Sequence, residues 1–157
     1  MPKVKKRKEV SKLTDHIGYW MRLISNEVSH AFARKLEQTG VTVAEWVVLR
    51  KMYDCNNIIS PSTVANITGL TRGAVSKLIT RLLEKGLVNR KESADDRRYQ
   101  EIELTATAVV LVPKLAVLAD QNDEEFFSIL TCAQQEQFMK LLKKLVDSHQ
   151  IKTAPIE

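Results

Sequence analysis

Residues 71–86, TRGAVSKLITRLLEKG, constrain the fold more than any other stretch of the chain. Val75, Leu78, Ile79, Leu82 and Leu83 recur at i, i+3, i+4, i+7 and i+8, which puts them on one face of a helix. Gly86 stands where a helix closes on a left-handed residue, and Leu87 is the apolar residue that follows it. Upstream, Ser60-Pro61 opens a short helix over PSTVANI, with proline at the first position, where its missing N–H costs nothing. Thr68-Gly69 stops it. Two helices joined by a Gly-containing turn, the second strongly amphipathic, form a helix-turn-helix. The polar face of the second helix holds Arg72, Gly73, Ser76, Lys77 and Thr80, short or basic groups near its N-terminal end. A recognition helix meets base edges and phosphates with that end.

The two segments that follow, LVNRKES and RYQEIELT, read as antiparallel strands. Gln100, Ile102 and Leu104 fall on one side, and Tyr99, Glu101 and Glu103 on the other. The ADDR connection then lies at the tip of a hairpin, and a hairpin directly after a helix-turn-helix is a wing. Unpaired acids there would be repelled by phosphates. An arginine, Arg97 or Arg98, can enter the narrow minor groove, and a flanking Asp96 can hold its guanidinium by a bidentate pair.

Helices are expected on both sides of this unit. Thr14 or Asp15 starts the first; Ile17, Met21, Ile24, Val28, Ala31 and Leu36 form its stripe, and Gly40 ends it after about 25 residues. Thr42 and Glu45 have capping-box spacing, and Val41 and Trp46 are placed for a hydrophobic staple. The helix VAEWVVLRKMYD is apolar around much of its circumference and belongs inside a bundle. NNIIS fits only a short strand. Thr105 caps a long helix running to near Leu130 and bent at Pro113. Thr131 and Gln134 repeat the capping box before a last helix striped by Phe138, Leu141, Leu142, Leu145 and Val146. IKTAPIE reads as a frayed end.

Composition excludes several classes. With 44% hydrophobic and 27% charged residues, the 157-residue chain is ordinary for a globular protein. No apolar run approaches the ~20 residues of a membrane helix, and the basic start lacks the apolar core of a secretory signal, which points to the cytoplasm. The net charge of +5 is carried by residues 1–12, a basic flexible tail with Lys3, Lys5, Lys6, Arg7, Lys8 and Lys12 against Glu9. Residues 60–104 sum to +2 and the stretch from Asp120 onward to −3, so the front and middle are basic and the back acidic. Cys55 and Cys132 share no motif with each other or with His16, His30 and His149, so they read as reduced, mostly buried thiols with no metal. No Gly-rich phosphate cradle or nucleophile–base pair is present, so the chain is not expected to be an enzyme or to need a cofactor.

TRGAVSKLITRLLEKGLVNR, followed by DRR and ELT at matching spacing, resembles the MarR family of winged-helix transcriptional regulators, over roughly Ile17 to Val146. The resemblance implies a mainly α fold with a small β-wing: residues 13–157 as one domain, with 13–40 and 105–150 as dimerisation helices and 41–104 as the DNA-binding winged helix-turn-helix. It implies a homodimer on pseudo-palindromic double-stranded DNA, acting as a repressor. It puts the family's acid-x-arginine wing pattern on Asp96 and Arg98. Ala108 replaces the family's usual glycine, and the early first-helix cysteine of its peroxide-sensing branch is missing. The family's small aromatic effectors direct attention to His16 and Trp20, one turn apart, and to Trp46, Arg50 and Tyr53. If both helices meet the wing-bearing lobe, these groups can line a cleft for an aromatic anion. The two tryptophans are equally suited to a structural role. The other reading of the whole chain is a winged-helix module that binds protein. Such a module need not keep Arg72, Ser76, Lys77 and Arg98 outward together.

Overall fold

The computed structural model describes residues 9–92 and 100–156. A 3-10 turn, Leu13–Asp15, precedes α1 (Ile17–Glu37), α2 (Val43–Asp54), β1 (Ile58–Ile59), α3 (Pro61–Thr68), α4 (Arg72–Glu84), β2 (Val88–Glu92), β3 (Gln100–Leu104), α5 (Ala106–Phe127) and α6 (Cys132–Ser148). The wing-tip residues Asp96, Arg97 and Arg98 lie outside the described residues, as does the tail from Lys3 to Lys8.

Side-chain caps fix most of the helix starts, because the first N–H groups of a helix have no partner within it. Ser60 accepts from the Thr63 N–H, Thr71 from Ala74 and Thr105 from Ala108. Thr42–Glu45 and Thr131–Gln134 form reciprocal capping boxes, as their spacing predicts. The end of α4 is a Schellman turn: Gly86 has φ +66, the Leu87 N–H donates to the Leu82 carbonyl, and the Gly86 N–H donates to Leu83. Thr105 ties the next helix to this turn through its hydroxyl, which donates to the Gly86 carbonyl at 2.8 Å.

The sheet has order β1-β3-β2 and is antiparallel throughout, so the expected hairpin gains a third strand. Ile59 pairs with Ile102 and Val88 with Leu104. These inward residues join Val75, Leu78, Ile79 and Leu82 of α4, Val48, Leu49 and Met52 of α2, and Ala108, Val112 and Leu115 of α5 in one core. The whole predicted α4 stripe is buried there except Leu83, which is half-buried. Beyond this core α5 continues beside α1. There the buried Asn122 donates to the Val28 carbonyl and accepts from Lys35, and Lys35 also pairs with Glu125 at 2.6 Å.

Four expectations are corrected. Asp15 does not cap α1. It closes the 3-10 turn by accepting the Lys12 N–H, so α1 starts at Ile17 and has 21 residues. α5 stops at Phe127 because a turn is needed before the Thr131 cap; the Leu130 N–H bonds the Phe127 carbonyl. Both cysteines are exposed, Cys55 at the end of α2 and Cys132 at the first position of α6, where neither faces the core. Residues 151–156 do not fray: the Ala154 N–H donates to the Ile67 carbonyl at 2.7 Å.

Glu45 is fully buried, and a buried charge is stable only when paired. Its carboxylate accepts the Thr42 N–H and both oxygens meet the Lys85 ammonium, at 2.7 and 2.9 Å. Lys85 also donates to the Gly40 carbonyl, while Arg81 is looser at 3.6 Å from Glu45. Lys85→Met should therefore lower stability in urea unfolding by about 1–3 kcal/mol, the cost of leaving a buried acceptor underpaired. Arg81→Met, at a more distant and half-exposed cation, should cost distinctly less.

Candidate nucleic-acid interface

The burial of Val75, Leu78, Ile79 and Leu82 fixes the rotation of α4 and turns Arg72, Gly73, Ser76, Lys77 and Thr80 to solvent together. The first turn of α4 contains no acid, so its N-terminal partial positive charge is not neutralised from within. Apart from its own helix backbone, nothing among the described residues lies within 4 Å of where a Cβ would stand on Gly73, so its surface is open for close approach. Thr80 donates its hydroxyl proton to the Ser76 carbonyl, which leaves its oxygen as an acceptor. These residues present donors and positive charge on a convex helix edge, the chemistry that phosphates and base edges require.

A groove of about 370 Å³ runs between α3, α4 and β2. It adds three polar residues that sequence reasoning missed: Ser62, Asn66 and Arg90. Arg90 on β2 lines this groove together with Arg72 and Ser76, and its Nη1 donates to Gln100 Oε1 across the two strands at 2.9 Å. The i, i+4 spacing of Ser62 and Asn66 on α3 was a usable signal. Arg90 gave none, because only the packing of β2 beside α3 and α4 brings it to the same groove.

The five proposed ligand residues are not gathered in one place. A cleft of about 230 Å³ lies between α1, α2 and α5, walled by Val28, Phe32, Val43, Trp46, Val47 and Ala119, with Ser29, Asn122, Asp123 and Pro155 completing it. Trp46 alone of the five lines it, edge-on to Phe32 with ring centroids 6.2 Å apart. Arg50, one turn along α2 from Trp46 and half-buried like it, pairs with Asp54 a turn further on and sits over the Tyr53 ring, without lining the cleft. His16 bonds Ser11, and the Trp20 indole donates to the Thr14 carbonyl, so both serve the segment entering α1. The carboxyl of Asp123 is held above the ordinary aspartate range by partial burial and by the nearby Asp120.

The model of the MarR family matches residues 39–98, from the turn before α2 to the wing. The transcriptional regulator HosA of Escherichia coli O127:H6 is 27% identical over 112 residues, covering 71% of this chain and 82% of HosA. A Bordetella bronchiseptica protein, BpsR, whose DNA binding is regulated by 6-hydroxynicotinic acid, superposes with a TM-score of 0.75 at 22% identity. That match covers 88% of this chain and 99% of BpsR. A mutant of E. coli MarR complexed with operator DNA gives 0.74 at 20% identity, over 87% and 99% of the two chains.

The two kinds of contact are separable by salt. In titrations against duplex DNA, Lys77→Ala and Arg90→Ala should each reduce the slope of log K against log salt by about one, the signature of a lost phosphate contact. Ser76→Ala should change base preference and leave that slope unaltered.

Proposed function

Because the chain belongs to the MarR family of winged-helix transcriptional regulators, we propose that two copies of it bind one pseudo-palindromic operator in the cytoplasm and repress transcription there by occupying the site. The observation that supports this most directly is the contrast between the chain's two ends. The helix-turn-helix is fully packed, with its basic face free. α6 buries no residue at all, and Phe138, Leu141, Leu145 and Val146 remain exposed along one stripe. Ile17, Trp20, Met21, Leu23 and Ile24 are likewise uncovered on α1. An apolar surface of that extent is costly in water and self-complementary between two copies related by a two-fold axis. Such a pairing sets two recognition helices about 34 Å apart, one turn of DNA, so that each reads a half-site.

Within each half-site, Arg72, Gly73, Ser76, Lys77 and Thr80 enter the major groove or meet its flanking phosphates. Arg98, with Arg97 beside it, enters the minor groove, and Asp96 orients the guanidinium. A small aromatic effector enters between the lobes beside Trp46. The chemistry of that cleft favours an uncharged ring over an anion, because Asp123 stands at its rim and Arg50 is engaged with Asp54. His16, Trp20, Arg50 and Tyr53 then act in structure, and Trp46 in binding. An effector that favours the wrong spacing of the two recognition helices by about 2.7 kcal/mol weakens operator binding a hundredfold.

Selection of bound sites from random duplex DNA should return an inverted repeat. Leu145→Glu, a charge in the uncovered α6 stripe, should give a monomer by sedimentation and abolish tight operator binding. A monomer that keeps full specific affinity would overturn the two-fold reading. Arg98→Ala should weaken specific binding by ~1–3 kcal/mol, and Asp96→Ala should weaken it less, since it frees the arginine without removing it. Tighter binding by Asp96→Ala would instead identify the acid as a simple repulsion.

A further inference from the structure

α6 ends by a defined turn. The Ile151 N–H donates to the Val146 carbonyl and the Gln150 N–H to Asp147, with Gln150 itself at φ +52. That is the Schellman pattern, here without the glycine that usually makes it strain-free. A chain that merely trailed off would not hold a glutamine in the left-handed region; this one is redirected toward α3.

Three contacts receive it. The Ala154 N–H donates at 2.7 Å to the Ile67 carbonyl, one of the last carbonyls of α3, which have no partner inside that helix. The Thr153 methyl comes within 3.1 Å of the position a Cβ would take on Gly69, the left-handed residue (φ +71) that opens the turn into the recognition helix. Pro155 lines the Trp46 cleft. Ala154 and Ile156 are half-buried, although α6 itself buries nothing, and Pro155 between them keeps an exposed side at the wall of the cleft. Proline is suited to such a position, since its ring has little conformational freedom to lose on docking.

Size decides what the cleft can hold. Small-molecule clefts commonly run roughly 300–1,000 Å³. With Pro155 as part of its lining the Trp46 cleft is about 230 Å³, below that range. Its walls, Phe32, Val43 and Trp46, are apolar and the proline ring is a compact apolar group among them.

We propose that residues 151–156 are an internal strap that ties the end of α6 to the turn before the recognition helix and narrows the Trp46 cleft by placing Pro155 in its lining, so that an uncharged aromatic effector binds by displacing it. The displacement half of this rests on the effector reading given above; the strap does not. Displacement breaks the bond from Ala154 to Ile67 and releases Thr153 from Gly69. Occupancy of the cleft is thereby transmitted to the first turn of α4 and, through the end of α6, to the surface where a second copy packs. By linkage, whatever holds the strap in place must weaken effector binding by the same factor.

The test uses the full chain and a chain ending at Gln150, both carrying Trp20→Phe, which leaves Trp46 as the one tryptophan of the original two. Removing the strap should move Trp46 emission to longer wavelength. In the full chain the Ala154 amide should exchange at least tenfold more slowly than an open amide. Pro155→Gly, which keeps the chain length, should reproduce the emission change in part. An unaltered Trp46 spectrum together with an unprotected Ala154 amide overturns the strap. Phenol, titrated as the probe, should bind the shortened chain about tenfold more tightly than the full one. Equal or absent phenol binding in both chains, with the spectral and exchange changes intact, overturns displacement and leaves the strap standing.

Discussion

A single buried carboxylate holds the reading head together. Glu45 closes the capping box of α2 and, with the same two oxygens, receives Lys85 from the end of α4. Removing a carboxylate from water costs several kcal/mol, which the protein recovers only if every lone pair finds a donor. That requirement fixes where the end of α4 lies relative to the start of α2. It also aligns charge with helix polarity, an acid at an N-terminus and a lysine at a C-terminus. Because Lys85 reaches the Gly40 carbonyl as well, the turn leaving α1 is fastened to the recognition helix by one ammonium group.

The rest of the architecture divides at that junction. On one side, α2, α3, α4 and the sheet share a dry core whose geometry is set by interdigitating Val, Leu, Ile and Met side chains, and such cores resist continuous deformation. On the other, α1 and α5 run together with Asn122 bonded to the α1 backbone, while α6 projects with its stripe uncovered. In the two-fold assembly proposed above, a rigid head on a helical stem would convert a small change at the junction into a large change in the separation of two heads. The Trp46 cleft and the docking place of Pro155 both lie at that junction, between α1, α2 and α5.

Much of this was written locally. Most helix starts with a side-chain cap were legible because a hydroxyl three residues before the N–H it accepts is a short-range pattern: Thr42 with Glu45, Ser60-Pro61, Thr105, and Thr131 with Gln134. The outward set from Arg72 to Thr80 followed from the inward one, since helical period leaves no choice once Val75, Leu78 and Ile79 are buried. The start of α1 was misread because two acceptable caps, Thr14 and Asp15, precede it and only the chain's path shows that Asp15 bonds Lys12.

What periodicity and capping determine, the sequence therefore determined by itself: the helices, the strands, the helix-turn-helix and the exposed polar face of its second helix. Tertiary structure alone decided the pairings between distant segments. Nothing near Ile58 announces that it will pair with Glu103, and nothing near Arg90 brings it to the same groove as Ser76. Of the aromatic and cationic residues grouped as one cleft, from His16 to Tyr53, Trp46 alone lines it: Arg50, one turn along α2, is engaged by Asp54, and His16 and Trp20 bond the segment entering α1. The terminal IKTAPIE reads as loose because it lacks any local pattern, yet the unsatisfied carbonyl of Ile67 and the bare Gly69 give it a seat. Hydrogen-bonding demand at the end of one helix is met by a segment more than eighty residues away. Local sequence cannot encode that match, because the partner exists only once the chain has folded.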